Sequence, residues 1–261
     1  MNLVLISRTR QKLEKLKNEL LEENSNKKNL KILIIAHDFN DISGTLLDKV
    51  EREIVQNKID VRIVINNVGH RYGSSFGGGP QFYNKVDVLA DVEKLIKVNM
   101  YGQAKLCHYF IRRWEEEKVG RSLCINLSSF SAIFPMPLMC LYPATKQFNK
   151  YLALALRSEQ KMTKNTTKYS TTFQILQPYF VCTGHHPIAK KPNLLVPTSD
   201  QLGKSAMIAV GELDLTTGHF FQDIYAGFVD FCANNVFLRP VVEFIVSSKM
   251  LAILEDREKS Q

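Results

Sequence analysis

Asn2-Leu-Val-Leu-Ile-Ser7, then Leu13, Leu16, Leu20 and Leu21, then Lys31-Ile-Leu-Ile-Ile-Ala36 open this chain, and their order decides its fold class. The two flanking runs are short and almost wholly apolar, which is how a strand buried on both faces reads. The four leucines fall at i, i+3, i+7 and i+8, the stripe of an amphipathic helix that starts after Thr9. The alternation continues outward. Ile42, Leu46, Leu47, Val50 and Ile54 mark a second helix and Val61 to Ile65 a third strand. Further strands are expected at Ser122 to Leu127 and Thr171 to Leu176, and helices around 88–114 and 142–160. Strands that alternate with helices make a parallel sheet covered on both faces. The expectation is one α/β domain, a doubly wound parallel sheet over residues 1–261, with 220–254 an apolar C-terminal extension.

The composition agrees with such a fold and removes several others. At 261 residues the chain is 45% hydrophobic, 10% aromatic and 23% charged, which excludes a disordered, collagenous or disulfide-stapled small protein. A formal net charge of +8 favours polyanionic partners: a phosphorylated cofactor, coenzyme A, nucleic acid or an acidic membrane surface. Nucleic acid is the weakest of these, because basic and aromatic residues are not interleaved in any cluster. The five cysteines, at 107, 124, 140, 182 and 232, lie sixteen or more residues apart, so they have no zinc-ligand spacing and read as reduced thiols. His185-His186 lacks a third ligand at suitable spacing, and no metal is expected. Two uncharged stretches, Ser122 to Thr145 and Tyr169 to Ala189, carry too many serines, prolines and polar groups to cross a membrane as helices. The N-terminus has no basic region followed by an apolar core, so no signal peptide is expected.

In an open parallel sheet, ligands bind beyond the carboxyl ends of the strands, so the residues there carry the chemistry. Ser7-Arg8 follows the first strand and His37-Asp38-Phe39 the second. A guanidinium there suits a ribose 2′-phosphate; its bland reading is a solvated arginine at a helix start. Asn66-Asn67-Val68-Gly69 follows the third strand, where small and amide side chains let backbone approach a ligand. Gly73 to Pro80 imitates a phosphate loop but lacks the strand-to-helix frame, and reads as a surface loop. The sharpest set is Ser129, Tyr142 and Lys146, with Asn99 upstream. Tyr142 and Lys146 stand i, i+4 on one helix face, with Pro143 tolerated in the first turn. A phenol with an ordinary pKa of about 10 needs a neighbouring ammonium to become a useful acid or base near neutrality. Tyr-x-x-x-Lys alone arises by chance on many helices. The serine thirteen residues before Tyr142 and the strand–loop–helix context give it weight.

With these motifs in order, from Asn66-Asn67-Val68-Gly69 through Asn99 and Ser129 to Tyr142-Pro-Ala-Thr-Lys146, the chain resembles the short-chain dehydrogenase/reductase family. Ile125-Asn-Leu-Ser-Ser129, Phe134-Pro-Met-Pro-Leu138 and Leu176-Gln-Pro-Tyr-Phe-Val-Cys-Thr183, with Lys191-Pro192 and Lys204-Ser-Ala206, resemble its branch of 17β-hydroxysteroid dehydrogenases and very-long-chain 3-oxoacyl-CoA reductases. The resemblance implies a Rossmann-like fold and NADPH-dependent reduction of a lipid carbonyl. It implies Tyr142 as acid/base, Ser129 as the hydroxyl that orients the carbonyl, and Lys146 as the group that lowers the tyrosine pKa and holds the nicotinamide ribose. Asn99 would position a relay water; Pro178, Val181 and Thr183 would contact the nicotinamide, Asn67 the adjoining ribose, Ser7 and Arg8 the 2′-phosphate, and Asp38 the adenine.

The family pattern begins with a strand and a glycine-rich turn, and here the first strand matches the family's second. The expectation is therefore a chain shortened at its start, lacking the first strand and helix, with poor solubility and weak NADPH binding. The alternative to an active reductase is a catalytically impaired scaffold that binds lipid or a partner. The branch further implies the cytosolic face of the endoplasmic reticulum membrane, a possible homodimer, and possible membrane-surface contact through the apolar 220–254 segment. Trp114 with Glu115 to Glu117 reads as an exposed helix end.

Overall fold

A computed structural model describes residues 2–27, 30–71, 80–163, 170–183 and 191–259. The glycine-rich stretch 73–79 and the His185-His186 pair lie outside them. The chain falls into two compact units, residues 1–62 and 63–261.

In the first unit β1 (Leu3–Ser7) pairs in parallel with β2 (Ile32–Ala36), Leu3 facing Ile32 and Ser7 facing Ala36. The crossover is α1 (Arg10–Glu23), and α2 (Thr45–Asn57) follows β2. Leu13, Ile32, Ile35, Leu46, Val50 and Ile54 are buried, which accounts for the stripe of α2; of the four leucines expected to line α1 only Leu13 is buried, and Leu16 and Leu21 are exposed. Ile42, expected within the second helix, stays outside it and exposed. The Asp41 carboxylate accepts the Ser43 N–H at 2.9 Å, and that local turn competes with helix in the stretch before Thr45.

The second unit is built on β3 (Ile63–Asn66), β4 (Arg121–Leu127), β5 (Ser170–Leu176) and β6 (Leu215–Thr216), all parallel and paired in that order. Its helices are α3 (Gly102–Glu116), α4 (Leu141–Thr163), α5 (Ser199–Ile208), α6 (Phe220–Asn234) and α7 (Arg239–Glu258). The α/β class and the parallel pairing are as expected, and the elements after residue 198 are new to the reading. Full coverage of every strand is not found: Ile63 and Ile65 stand 45% and 53% exposed, whereas Val64 and Asn66 are buried. β3 is thus covered on one face only, with the two-residue alternation this produces.

Two further corrections concern the stretch before β4. The expected helix at 88–114 is broken into π-helical turns at Val88–Glu93 and Ile96–Tyr101 before α3 begins. Such turns widen a helix by one residue and re-aim the side chains beyond them. Trp114 is not at an exposed helix end. It is 2% exposed, one of the stripe Leu106, Cys107, Phe110 and Trp114 that α3 turns inward. Its ring centroid lies 5.7 Å from that of Phe110. The charged run after it is what the sequence shows, and the indole beside the run belongs to the core.

Gly218, between β6 and α6, has φ of +81°, and a Cβ there would meet Leu176 Cδ1 at 2.8 Å and Ala206 Cβ at 3.1 Å. Backbone and space both require glycine. Gly218→Ala is expected to destabilise the second unit by about 1–3 kcal/mol, read as a lower urea midpoint; an unchanged midpoint would contradict this account.

Candidate active site

The loops after β3 and β4, the turn that carries Asn99 and the start of α4 bring Asn99, Ser129, Tyr142 and Lys146 together. The organising side chain is Asn99, fully buried in the second π-helical turn. Its Oδ1 accepts the His70 N–H at 2.6 Å, and its Nδ2 donates to His70 O at 2.8 Å and to Thr145 Oγ1 at 3.0 Å. Thr145 in turn donates to Tyr142 O at 2.8 Å. One amide therefore ties the loop after β3 to the first turn of α4. The water-holding role implied for Asn99 has left to it a single lone pair on Oδ1.

Lys146 is 4% exposed, an unusual place for an ammonium. The end of β4 grips it from both sides: Nζ donates to Leu127 O at 3.1 Å, and Ser128 Oγ donates to Lys146 O at 2.8 Å. Gly69 permits the approach, since a Cβ there would lie 3.2 Å from Lys146 Nζ and 3.6 Å from Asn99 Oδ1. Burial lowers the Lys146 pKa to about 8. Its Nζ stands 6.0 Å from the centre of the Tyr142 ring.

Ser129 caps the short 3₁₀ turn Phe130–Ile133, and its Oγ accepts from Ser131 N at 3.2 Å and Ser131 Oγ at 2.9 Å. Its hydroxyl also lies beside the Tyr142 phenol, where it favours the phenolate. The direction of the Tyr142 pKa differs from expectation: burial raises it above 10, and the Ser129 hydroxyl and the Arg71 charge only partly oppose this. Desolvation penalises the phenolate more than its neighbours stabilise it.

Asn67 is exposed beyond the end of β3, while its neighbour Asn66 is buried and donates to Asn126 Oδ1 at 2.8 Å, so only Asn67 is open to a ligand. Pro178 and Val181 are half-buried on the loop after β5, and Thr183 is exposed at its end. In the first unit, Ser7 is half-buried at the end of β1, and the exposed Arg8 lies 4.0 Å from the Asp38 carboxylate. That pair is loose and solvated, leaving the guanidinium available to a phosphate. His70, Ser131, Thr145 and Ser128 were not singled out in the sequence. Only Ser128 and Thr145 carried a hint, as small polar neighbours of Ser129 and Lys146.

The donor set fits a nicotinamide dinucleotide. A buried ammonium with N–H groups beyond its bond to Leu127 suits ribose hydroxyls, and Gly69 keeps backbone close to it.

The chain is similar to several known proteins. Over 245 residues the chain is 27% identical to the very-long-chain 3-oxoacyl-CoA reductase of Rattus norvegicus, covering 94% of this chain and 72% of that protein. It is 27% identical over 226 residues to putative steroid dehydrogenase 2 of Caenorhabditis elegans, covering 85% and 65%. Among solved structures, a 7β-hydroxysteroid dehydrogenase has the same fold, with a TM-score of 0.71 at 18% identity over 96% of this chain and 86% of that one. The sequence pattern of short chain dehydrogenases matches residues 1–187, the stretch that holds Ser129, Tyr142 and Lys146. The chain belongs to the short chain dehydrogenase family of oxidoreductases.

Proposed function

We propose that this chain reduces a ketone on a lipid-like substrate, a 3-oxoacyl-CoA of fatty-acid elongation or a 17-ketosteroid, using NADPH and with Tyr142 as proton donor. The observation that carries the reading is the Tyr142 phenol set beside the Ser129 hydroxyl, with the buried Lys146 one helical turn on and its Nζ 6.0 Å from the centre of the tyrosine ring. The names of the relatives, a 3-oxoacyl-CoA reductase and a putative steroid dehydrogenase, point to the two substrate classes.

NADPH, when bound, supplies the hydride. The chain supplies the rest. Lys146, with N–H groups left over from Leu127 O, would hold the nicotinamide ribose, and Asn67 the adjoining ribose region. Pro178, Val181 and Thr183 would contact the nicotinamide; in the first unit, Ser7 and Arg8 would take the 2′-phosphate and Asp38 would meet the adenine. Ser131 donates to Ser129, which turns the Ser129 proton outward, toward the Tyr142 oxygen or a substrate carbonyl. Tyr142 keeps its own proton through neutral pH because burial raises its pKa. It is therefore an acid ready to donate to the oxygen of a carbonyl being reduced, the direction that reduction requires. Asn99, tied into His70 and Thr145, positions the others rather than touching substrate.

By the same family likeness the protein works at the endoplasmic reticulum membrane surface, although no helix among the described residues is long and apolar enough to cross a membrane. The exposed phenylalanines of α6 also favour a second reading, a lipid- or partner-binding scaffold without turnover. Tyr142→Phe separates the two. It removes one oxygen, and on the reductase reading lowers kcat on a 3-oxoacyl-CoA by about 10²–10⁴-fold with an unchanged melting temperature. Activity near wild type would refute Tyr142 as the proton donor.

Lys146 couples activity to stability. Its pKa is near 8 in the fold, against an ordinary 10.5. Between those values the unfolded chain holds more protons, so its contribution to stability improves as pH rises across that window. Below pH 8 the whole cost of the buried ammonium is present, about 3 kcal/mol at 1.36 per pK unit. Lys146→Met is expected to abolish turnover and yet stabilise the protein at pH 7 by about 1–3 kcal/mol, a gain that fades by pH 10. Loss of stability at pH 7 in a denaturant titration would show that the Leu127 hydrogen bond outweighs the burial cost.

Arg8→Asp replaces attraction by repulsion at one phosphate. The expected result is a KM for NADPH raised at least tenfold with the KM for NADH little changed. An equal loss for both would remove Arg8 from the 2′-phosphate.

A further inference from the structure

Gln222 lies in the first turn of α6, outside every family motif quoted above, and is fully buried. Its side chain bonds three backbone groups on two stretches of loop, both in the connection from β5 to α5. Oε1 accepts the Tyr179 N–H at 3.0 Å, and Nε2 donates to Phe180 O at 2.9 Å and to Leu195 O at 2.8 Å. Both N–H groups and the carbonyl are thus committed, each to main chain that no regular strand or helix would satisfy. The two loops are also tied to each other, Cys182 N donating to Pro197 O at 2.9 Å.

One turn along, Tyr225 points the same way. Its ring is parallel to that of Phe130 with centroids 5.3 Å apart, and Tyr179 packs edge-on to Phe130 at 4.6 Å. Phe130 directly follows Ser129, and Tyr179 directly follows Pro178. Phe130 N donates to Pro178 O at 2.9 Å, closing the circuit between the β4 and β5 loops. The inner face of α6 therefore touches both loops of the candidate site while reaching none of its reacting groups.

We infer that Gln222 is a positioning residue for the nicotinamide end of the site: it fixes the backbone at Tyr179 and Phe180, and so the placement of Pro178 and Val181 on either side. This rests on the cofactor reading proposed above. A long amide is required for the task. Leucine has the volume but neither donor nor acceptor, and glutamate keeps the acceptor for Tyr179 while placing a carboxylate against the Phe180 and Leu195 carbonyls.

The test uses the full chain with Gln222→Leu and Gln222→Glu, and compares kcat, KM for NADPH, and Kd for adenosine 2′,5′-bisphosphate, a probe that lacks the nicotinamide half. Both variants are expected to raise the NADPH KM about tenfold and lower kcat about tenfold, with the bisphosphate Kd within twofold of wild type. A merely structural role would instead weaken both ligands in step, and that result overturns the inference, as do variants with wild-type KM and kcat. If neither variant folds, amide exchange in the wild type decides: NADPH should slow exchange at Tyr179 at least fivefold, and no change refutes the role. A wild-type chain that binds NADPH but reduces no ketone refutes the proposed function alone, and the NADPH Kd of the variants then carries the test. A wild-type chain that binds no NADPH overturns both.

Discussion

The buried amide of Asn99 is the constraint on which the arrangement of the second unit turns. It bonds both the N–H and the C=O of His70, as a neighbouring strand would, and adds a third bond to Thr145. A loop beyond a strand has no ladder to satisfy its backbone, and a fully buried side chain that supplies both partners replaces one. Because Thr145 also bonds Tyr142 O, the same link sets where α4 begins. The spacing of Tyr142 and Lys146 along that helix then becomes a position in space and not merely a separation in sequence. Lys146 is held independently by Leu127 and Ser128, so α4 is fixed to β4 as well as to the β3 loop. The π-helical turn that carries Asn99 is part of this device, since a regular helix would present a different residue at the same height.

Much of this was legible in the sequence, for reasons that also mark the limit. Strands β1 to β5 and helices α1, α2 and α4 announce themselves by unbroken apolar runs or by a stripe, because burial of a face is a one-dimensional pattern. Trp114 was misplaced because the Glu115–Glu117 run next to it is a stronger local signal than the stripe it completes. The π-helical turns left no trace, since widening a helix by one residue barely alters its apolar period. The stretch of α6 and α7 was read only as apolar sequence, because α6 exposes Phe220, Phe228 and Phe231 and buries the polar Gln222, the reverse of what a core-facing stripe suggests. Ser129, Tyr142 and Lys146 were found through their spacing. His70, which works through its backbone, and Thr145 and Ser131, whose worth lies in two hydrogen bonds each, have no spacing to betray them.

Electrostatics follow from depth, and depth is not written in a motif. The motif alone pairs a phenol with an ammonium and implies that the ammonium lowers the phenol's pKa. In the fold both groups are desolvated, and desolvation acts on them in opposite directions: Tyr142 moves up and Lys146 down to about 8. Burial therefore drives each toward its neutral form, with a proton on Tyr142 and less of a hold on the one at Lys146. For a residue that must give a proton to a forming alkoxide, a high pKa keeps the donor loaded at neutral pH but weakens the driving force for its release. The Ser129 hydroxyl and the Arg71 charge work the other way, favouring the phenolate that is left behind. The three influences reach the same oxygen from different parts of the chain, burial from the packed start of α4, the hydroxyl from the end of β4 and the guanidinium from the loop after β3. Their balance sets how readily Tyr142 parts with its proton. On the proposed reading, it is that balance, and not the bare presence of tyrosine and lysine one turn apart, that makes the site suited to reduction.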